Sequence, residues 1–202
     1  MTTLLTRRYE SALVYATQLH ATQRRKGTDI PYIAHLLSVS SLVLEAGGDE
    51  DEAIAGLLHD GPEDRGGQTT LDQIRELFGD RVADIVAACS DTFEAEKPPW
   101  RQRKEAYLTH LETAAPSVLL VSCADKVHNA QSILEDYQQL GEALWDRFNA
   151  SREETLWYYG ELTRLFQERG PQSLAQRLVR TVDALRTAAD SAEANAGRDL
   201  RI

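Results

Sequence analysis

The stretch Leu57-Leu58-His59-Asp60-Gly61-Pro62-Glu63-Asp64 sets one imidazole and three carboxylates at the end of an apolar run. Gly61 and Pro62 between the acidic residues force the backbone to bend. Such a cluster costs a great deal to desolvate unless a cation sits in it. Two other stretches supply matching donors. His35 lies in the first turns of an apolar segment carrying Ile33, Leu36, Leu37 and Val39. Asp125 interrupts Val118-Leu119-Leu120-Val121-Ser122-Cys123-Ala124, where an acidic residue needs a partner or an ion. His128 and Asn129, three and four residues on, share its side of a helix. Two imidazoles and two carboxylates (His35, His59, Asp60 and Asp125) suit a borderline or hard divalent ion with open positions, Mn²⁺ ahead of Fe²⁺ and Zn²⁺. An ion there turns water into an effective nucleophile near neutral pH. Glu63 and Asp64, just beyond the ligands, are placed to move protons or orient that water. A single histidine on a helix is more often a hydrogen-bonded core or surface residue, and His20 and His110 are read that way. The joint pattern points to a site.

Helical periodicity must position these groups, with no alternating strand pattern in the chain. A first helix is expected from about Thr6 to Arg25, ending in Arg24-Arg25-Lys26 before Gly27, a helix C-terminus signature. A second begins near Pro31 and stops at Gly47-Gly48. A third, Glu50 to His59, delivers the histidine. Gly61 to Gln68 reads as a loop, Thr70 and Gln73 as a capping box opening the next helix, and Asp80 to about Thr92 as another. Glu94 to Trp100 reads as irregular, Arg101 to Glu112 as helix, and Val118 to Leu140 as a strongly apolar helix. A short helix after Gly141 runs through Phe148. Ser151 and Glu154 form a second capping box, and the helix they open breaks at Gly170-Pro171. A last amphipathic helix covers about Ser173 to Ala189. The expectation is one all-α domain of about ten helices over residues 1–190, with a polar tail over 191–202.

A chain of 202 residues suffices for one well-buried domain. The 22 basic and 32 acidic residues leave a net charge of −10, which argues against a nucleic-acid surface but not against a small anionic substrate met by a local basic patch. No apolar run is long enough to span a bilayer, and residues 1–10 hold no signal-peptide core, so no membrane partner and a cytoplasmic location are expected. Cys89 and Cys123 lie in apolar helical segments without metal-ligand spacing and read as small buried hydrophobes.

The set resembles the HD-domain superfamily of metal-dependent phosphohydrolases and, more narrowly, the hydrolase domain of the RelA/SpoT alarmone enzymes and their small stand-alone forms. Four stretches carry the resemblance, in family order: Gln23-Arg24-Arg25-Lys26-Gly27 with Pro31-Tyr32-Ile33-Ala34-His35; Leu57 to Asp64; Phe78-Gly79-Asp80 followed by Val82; and Ala124-Asp125-Lys126-Val127-His128-Asn129. The resemblance spans about residues 5–170. It implies an HD-domain helical bundle that hydrolyses the 3′-pyrophosphate of ppGpp or pppGpp to GDP or GTP and pyrophosphate, a stringent-response activity. It implies Mn²⁺ on His35, His59, Asp60 and Asp125, a catalytic acidic pair in Glu63 and Asp64, and a substrate contact near the ribose from Asn129. Arg25 and Lys26 match the pair that packs on the base and approaches phosphate, as a guanidinium over a purine would. Lys97, Arg101, Arg103 and Lys104 form a second basic group, some of them expected to meet the pyrophosphate. Thr155 and Tyr158 are expected to line the pocket from the opposite helix. The chain departs from the family with Leu36 for a proline, Gly61-Pro62 for a Thr-Val type pair, and Ser122-Cys123 for a Lys-Leu pair, which removes one buried cation near the site. No synthetase domain is expected, and monomer and homodimer both stay open. Two other readings remain: an HD phosphohydrolase acting on another nucleotide, such as the NADPH 2′-phosphate or a nucleoside monophosphate, and a non-catalytic nucleotide-binding regulator.

Overall fold

Apolar stretches at helical spacing, separated by glycine, proline and capping residues, fold as the periodicity requires. The computed structural model describes residues 4–90 and 98–199, the side chains of 192–199 excepted. Among the described residues it is all-α. The helices are α1 (Arg7–Leu19), α2 (Ile33–Glu45), α3 (Glu50–Leu58), α4 (Gly61–Asp64), α5 (Gly67–Phe78), α6 (Asp80–Cys89), α7 (Trp100–Leu111), α8 (Pro116–Leu140), α9 (Arg152–Arg169) and α10 (Gln172–Asp199). A 3-10 segment, Gly141–Arg147, joins α8 to α9.

α8 is the central element. Pro116 occupies its first position, residues 118–125 are all buried, and it packs against α2, α3, α6 and α10. α3 is the other buried element. Asp49 and Glu52 close a full capping box at its start, and residues 53–58 are buried on every side, between α1, α2, α6 and α8. A short helix apolar all round has nowhere to go but the core, and its end therefore arrives in the middle of the molecule. α2 lies against both, with Leu36, Val39 and Val43 fully buried, so Leu36 is accommodated inside a helix. Ser151 and Glu154 cap α9 reciprocally, as expected.

Four boundaries differ from expectation. α1 stops at Leu19, and the basic cluster lies instead in a tight excursion where Arg25 N–H donates to the Ile30 carbonyl and Tyr32 N–H to the Gln23 carbonyl. Gly27, at φ +73°, makes that reversal. The stretch read as a loop after His59 contains α4, with Pro62 in its first turn. α5 starts at Gly67, because Gly66 at φ +92° caps it earlier than Thr70 would; Thr70 is buried and its hydroxyl donates to the Arg65 carbonyl. At the far end α10 continues to Asp199, so the backbone of the expected tail is helical to that residue. Most of the expected irregular stretch, 91–97, lies outside the described residues, Lys97 included.

Candidate metal centre and adjoining cleft

α3 delivers His59 at its C-terminal cap, and Asp60 opens α4 directly after it. α2 brings His35 and α8 brings Asp125 to the same point. His35 Nε2 lies 3.2 Å from Asp125 Oδ1 and 3.4 Å from Asp60 Oδ2. His59 Nε2 lies 3.6 Å and 3.1 Å from the same two oxygens. One donor atom each from His35, His59 and Asp125 fits within 4.8 Å of the other two. Despite these approaches, both Nε2 atoms are buried without a hydrogen-bond partner. Buried polar atoms left so are uncommon and costly. The other ring nitrogens are engaged: His59 Nδ1 meets the Gly56 carbonyl at 2.9 Å, and His35 Nδ1 meets His128 Nδ1 at 2.8 Å. A carbonyl only accepts, so His59 carries a hydrogen on Nδ1. Two imidazole nitrogens and two carboxylates turned on one buried point can hold a divalent cation.

The electrostatics of the cluster without an ion agree. Burial disfavours charge on His59, but the Asp60 and Asp125 carboxylates outweigh it and hold its pKa well above the ordinary value. Burial likewise opposes ionisation of Asp60 and Asp125. For Asp60 the His59 and His35 imidazoles prevail; for Asp125 the Lys126 ammonium does, with the same two histidines, and both carboxyls lie well below the usual range. Burial, with His35 and Arg25 alongside, pushes His128 down to about 4. Asp60 and Asp125 are therefore held ionised, and the field that raises His59 favours positive charge at this point.

Surrounding residues fix the cluster. The Tyr32 hydroxyl donates to Asp60 Oδ2 at 2.7 Å. Lys126 Nζ lies 2.6 Å from Asp125 Oδ2 and over the Tyr107 ring. Lys126 thus supplies a cation beside the site, where Ser122-Cys123 had left one missing; Ser122 itself bonds the Tyr107 hydroxyl at 2.8 Å. Asn129 Nδ2 donates to Asp125 Oδ1 at 2.6 Å while its Oδ1 accepts from Arg25 at 2.8 Å, so an arginine remote in sequence is tied to a candidate ligand through one amide.

The cluster adjoins a cleft of about 560 Å³, of the size that takes a small organic ligand. Arg25, Lys26, Arg103 and Lys104 line it, as do Asn129 and Thr155. With Tyr158, seven of the residues expected to meet substrate line one cavity; Arg101 does not line it, and Lys97 lies outside the described residues. Lys104 Nζ sits 5.1 Å over the Tyr158 ring, and Arg101 stacks on Trp157 instead. The acidic pair divides. Glu63 lines the cleft, whereas the exposed Asp64 accepts from Gln23 Nε2 at 2.6 Å. Gln23 also accepts from Arg65 at 3.0 Å and meets His20 at 2.8 Å. Tyr32, Gln23 and Lys126 carry much of the site's hydrogen bonding; all three sit inside the quoted stretches, but none was given a role there.

Among the described residues no helix is long and apolar enough to cross a membrane. A family model described as HD domain matches residues 12–156. A probable guanosine-3′,5′-bis(diphosphate) 3′-pyrophosphohydrolase of Synechocystis is 35% identical over 130 residues, covering 60% of this chain and 16% of the relative. The Xenopus tropicalis guanosine-3′,5′-bis(diphosphate) 3′-pyrophosphohydrolase MESH1 is 34% identical over 122 residues, covering 59% of this chain and 65% of its own length. The chain thus spans under a fifth of the bacterial relative and just under two thirds of the amphibian one. The solved structure of a metazoan ortholog of SpoT shares the fold, with a TM-score of 0.72 at 24% identity over 89% of this chain and 96% of that one. With the motif order, the helix arrangement and the family match over most of its length in agreement, the chain belongs to the HD-domain family.

Proposed function

We propose that this chain is a metal-dependent hydrolase that removes the 3′-pyrophosphate of ppGpp or pppGpp, giving GDP or GTP and pyrophosphate. One observation carries the reading: the His35, His59, Asp60 and Asp125 cluster adjoins, through Tyr32, Lys126 and Asn129, a cleft lined by five basic side chains against three acidic ones, in a chain whose net charge is −10. A cleft with an excess of basic groups in an acidic protein suits an anionic ligand. The names of the Synechocystis and Xenopus relatives supply the substrate.

His35, His59, Asp60 and Asp125 would hold the ion, Mn²⁺ by the hardness of the donor set. When bound, the ion supplies polarisation of a phosphoryl oxygen and acidification of water. The chain's own residues do the rest. Arg25, Lys26, Arg103 and Lys104 bind the phosphates and orient the scissile bond. Glu63, facing the cleft, takes the proton that water must lose and returns one to the departing oxygen. Asp64, next in the chain and held by Gln23 outside the cleft lining, supports it through its charge. Asn129 and Thr155 meet the nucleoside. Residues 1–190 act as one hydrolase unit with 191–202 as its tail, working in the cytoplasm.

Incubation with ppGpp and Mn²⁺ should release pyrophosphate, and Glu63→Gln should abolish turnover while metal stays bound. Absence of release from metal-loaded protein would remove the substrate assignment. Faster turnover of NADPH or a nucleoside monophosphate in the same panel would replace it.

A further inference from the structure

The two histidines of the cluster are supported differently. His59 Nδ1 points at a backbone carbonyl, the Gly56 oxygen, an arrangement that calls on no partner side chain. His35 Nδ1 points at a side chain, the Nδ1 of His128, at 2.8 Å, with the rings tilted 51° and 4.8 Å between centroids. His35 is 1% exposed, so water does not replace that partner. Two ring nitrogens at hydrogen-bond distance share one hydrogen: one must donate and the other accept. If His35 accepted there, its remaining hydrogen would sit on Nε2, the atom that faces Asp60 Oδ2 and Asp125 Oδ1 and must offer a lone pair to an ion. The metal-binding tautomer of His35 therefore requires a hydrogen on Nδ1 and an acceptor beyond it. The only acceptor recorded at that nitrogen among the described residues is His128.

We propose that His128 is a positioning residue for the metal centre: its Nδ1 lone pair accepts the Nδ1–H of His35, so that His35 presents a bare Nε2 to the ion. His128 then carries its own hydrogen on Nε2. α8 thus contributes twice, with Asp125 as a ligand and His128, three residues on, as the support of a ligand from α2. Cation binding at Nε2 makes the Nδ1–H of His35 a stronger donor, so the bond tightens on loading. This inference rests on the metal reading of the site and not on the identity of the substrate.

A matched pair of variants tests it. His128→Asn places an acceptor oxygen where Nδ1 stood, and His128→Leu has similar size with no acceptor. Affinity for Mn²⁺ and for Zn²⁺ is measured by chelator competition, with circular dichroism reporting the fold. His128→Leu is expected to lose 10–100-fold in affinity and His128→Asn to stay within a few-fold of the native protein. In the Zn²⁺-loaded native protein, ¹⁵N spectra should show the His35 hydrogen on Nδ1, coupled across the hydrogen bond to His128 Nδ1. That measurement needs no variant and stands even if His128→Leu fails to fold. Native affinity in a folded His128→Leu, equal loss in both variants, or a His35 hydrogen on Nε2 would each overturn the proposal. A native protein that binds neither ion overturns it together with the metal reading. The expected variant pattern in a protein that leaves ppGpp intact would uphold it and remove only the substrate.

Discussion

The Tyr32 hydroxyl donates to Asp60 Oδ2 at 2.7 Å, across 28 residues of sequence. The oxygen it holds lies 3.4 Å from His35 Nε2 and 3.1 Å from His59 Nε2, so the phenol helps set where the carboxylate points. His20 stacks on the Tyr32 ring at 5.3 Å and holds it in turn. Tyr32→Phe should keep the fold and weaken metal binding about tenfold, the usual size of a lost outer hydrogen bond to a ligand. Titration with Mn²⁺ under chelator competition reads this directly.

Removing the ion should cost stability. Anything bound to the folded chain alone stabilises it by mass action, about 2.7 kcal/mol at a hundredfold excess over Kd. Chelator should lower the melting temperature by several degrees and added Mn²⁺ restore it. Asp125→Asn and His59→Ala should abolish that response. A full melting-temperature gain in either variant would take the residue out of the ligand set.

The cluster makes the response depend on pH. His59 has a raised pKa in the metal-free fold, so its stabilisation is present below about 6.5 and is lost as pH rises through the raised value. Asp60 and Asp125 have depressed values, so their contribution is present above about 3.9 and is lost as pH falls through them. Metal must displace the His59 proton. Apparent affinity should therefore climb with pH until it passes the raised His59 value, and binding below that point should release about one proton. Calorimetry in buffers of different ionisation enthalpy counts it.

Arg25 is hydrogen-bonded to the cluster through Asn129 and lies 5.8 Å from the Tyr32 ring centroid. Arg25→Ala should raise KM for a polyanionic nucleotide about tenfold or more while metal affinity stays within a few-fold. Asn129→Ala frees both ends and should disturb the two together. Steady-state kinetics beside metal titration separate these outcomes.

Ser151→Ala gives a control distant from the ion. Its hydroxyl accepts from Glu154 N–H in the capping box of α9. Loss should cost about 1 kcal/mol in denaturant unfolding with metal affinity unchanged.

Helices α3, α8 and α9 were legible because their signals are local: a double glycine before α3, proline at the start of α8, a capping pair at the start of α9, and apolar spacing through each. The end of α1 was not. Gln23, Arg24 and Arg25 could continue a helix by propensity. They leave it because Tyr32 and Ile30 return to bond their backbone, and the Gln23 side chain is engaged by Asp64 and Arg65, some forty residues on. The same distinction divides the site. His35, His59, Asp60 and Asp125 stood out as charge in apolar surroundings, a property of the neighbouring sequence. Tyr32 and His128 matter through partners 28 and 93 residues away, a separation that no local pattern encodes.

α8 has one more consequence. Asp125, Asn129, Ser132 and Asp136 follow one another along a helix with no proline or glycine after Pro116, and the last three line the cleft. At about 1.5 Å per residue, the axial span from Asp125 to Asp136 is about 16 Å. The helix is a ruler: its zero mark is the cluster and its far mark is Asp136, which lines the cleft and pairs with Arg147. A molecule that touches both marks must be that long, and this wall cannot shorten to suit a smaller one.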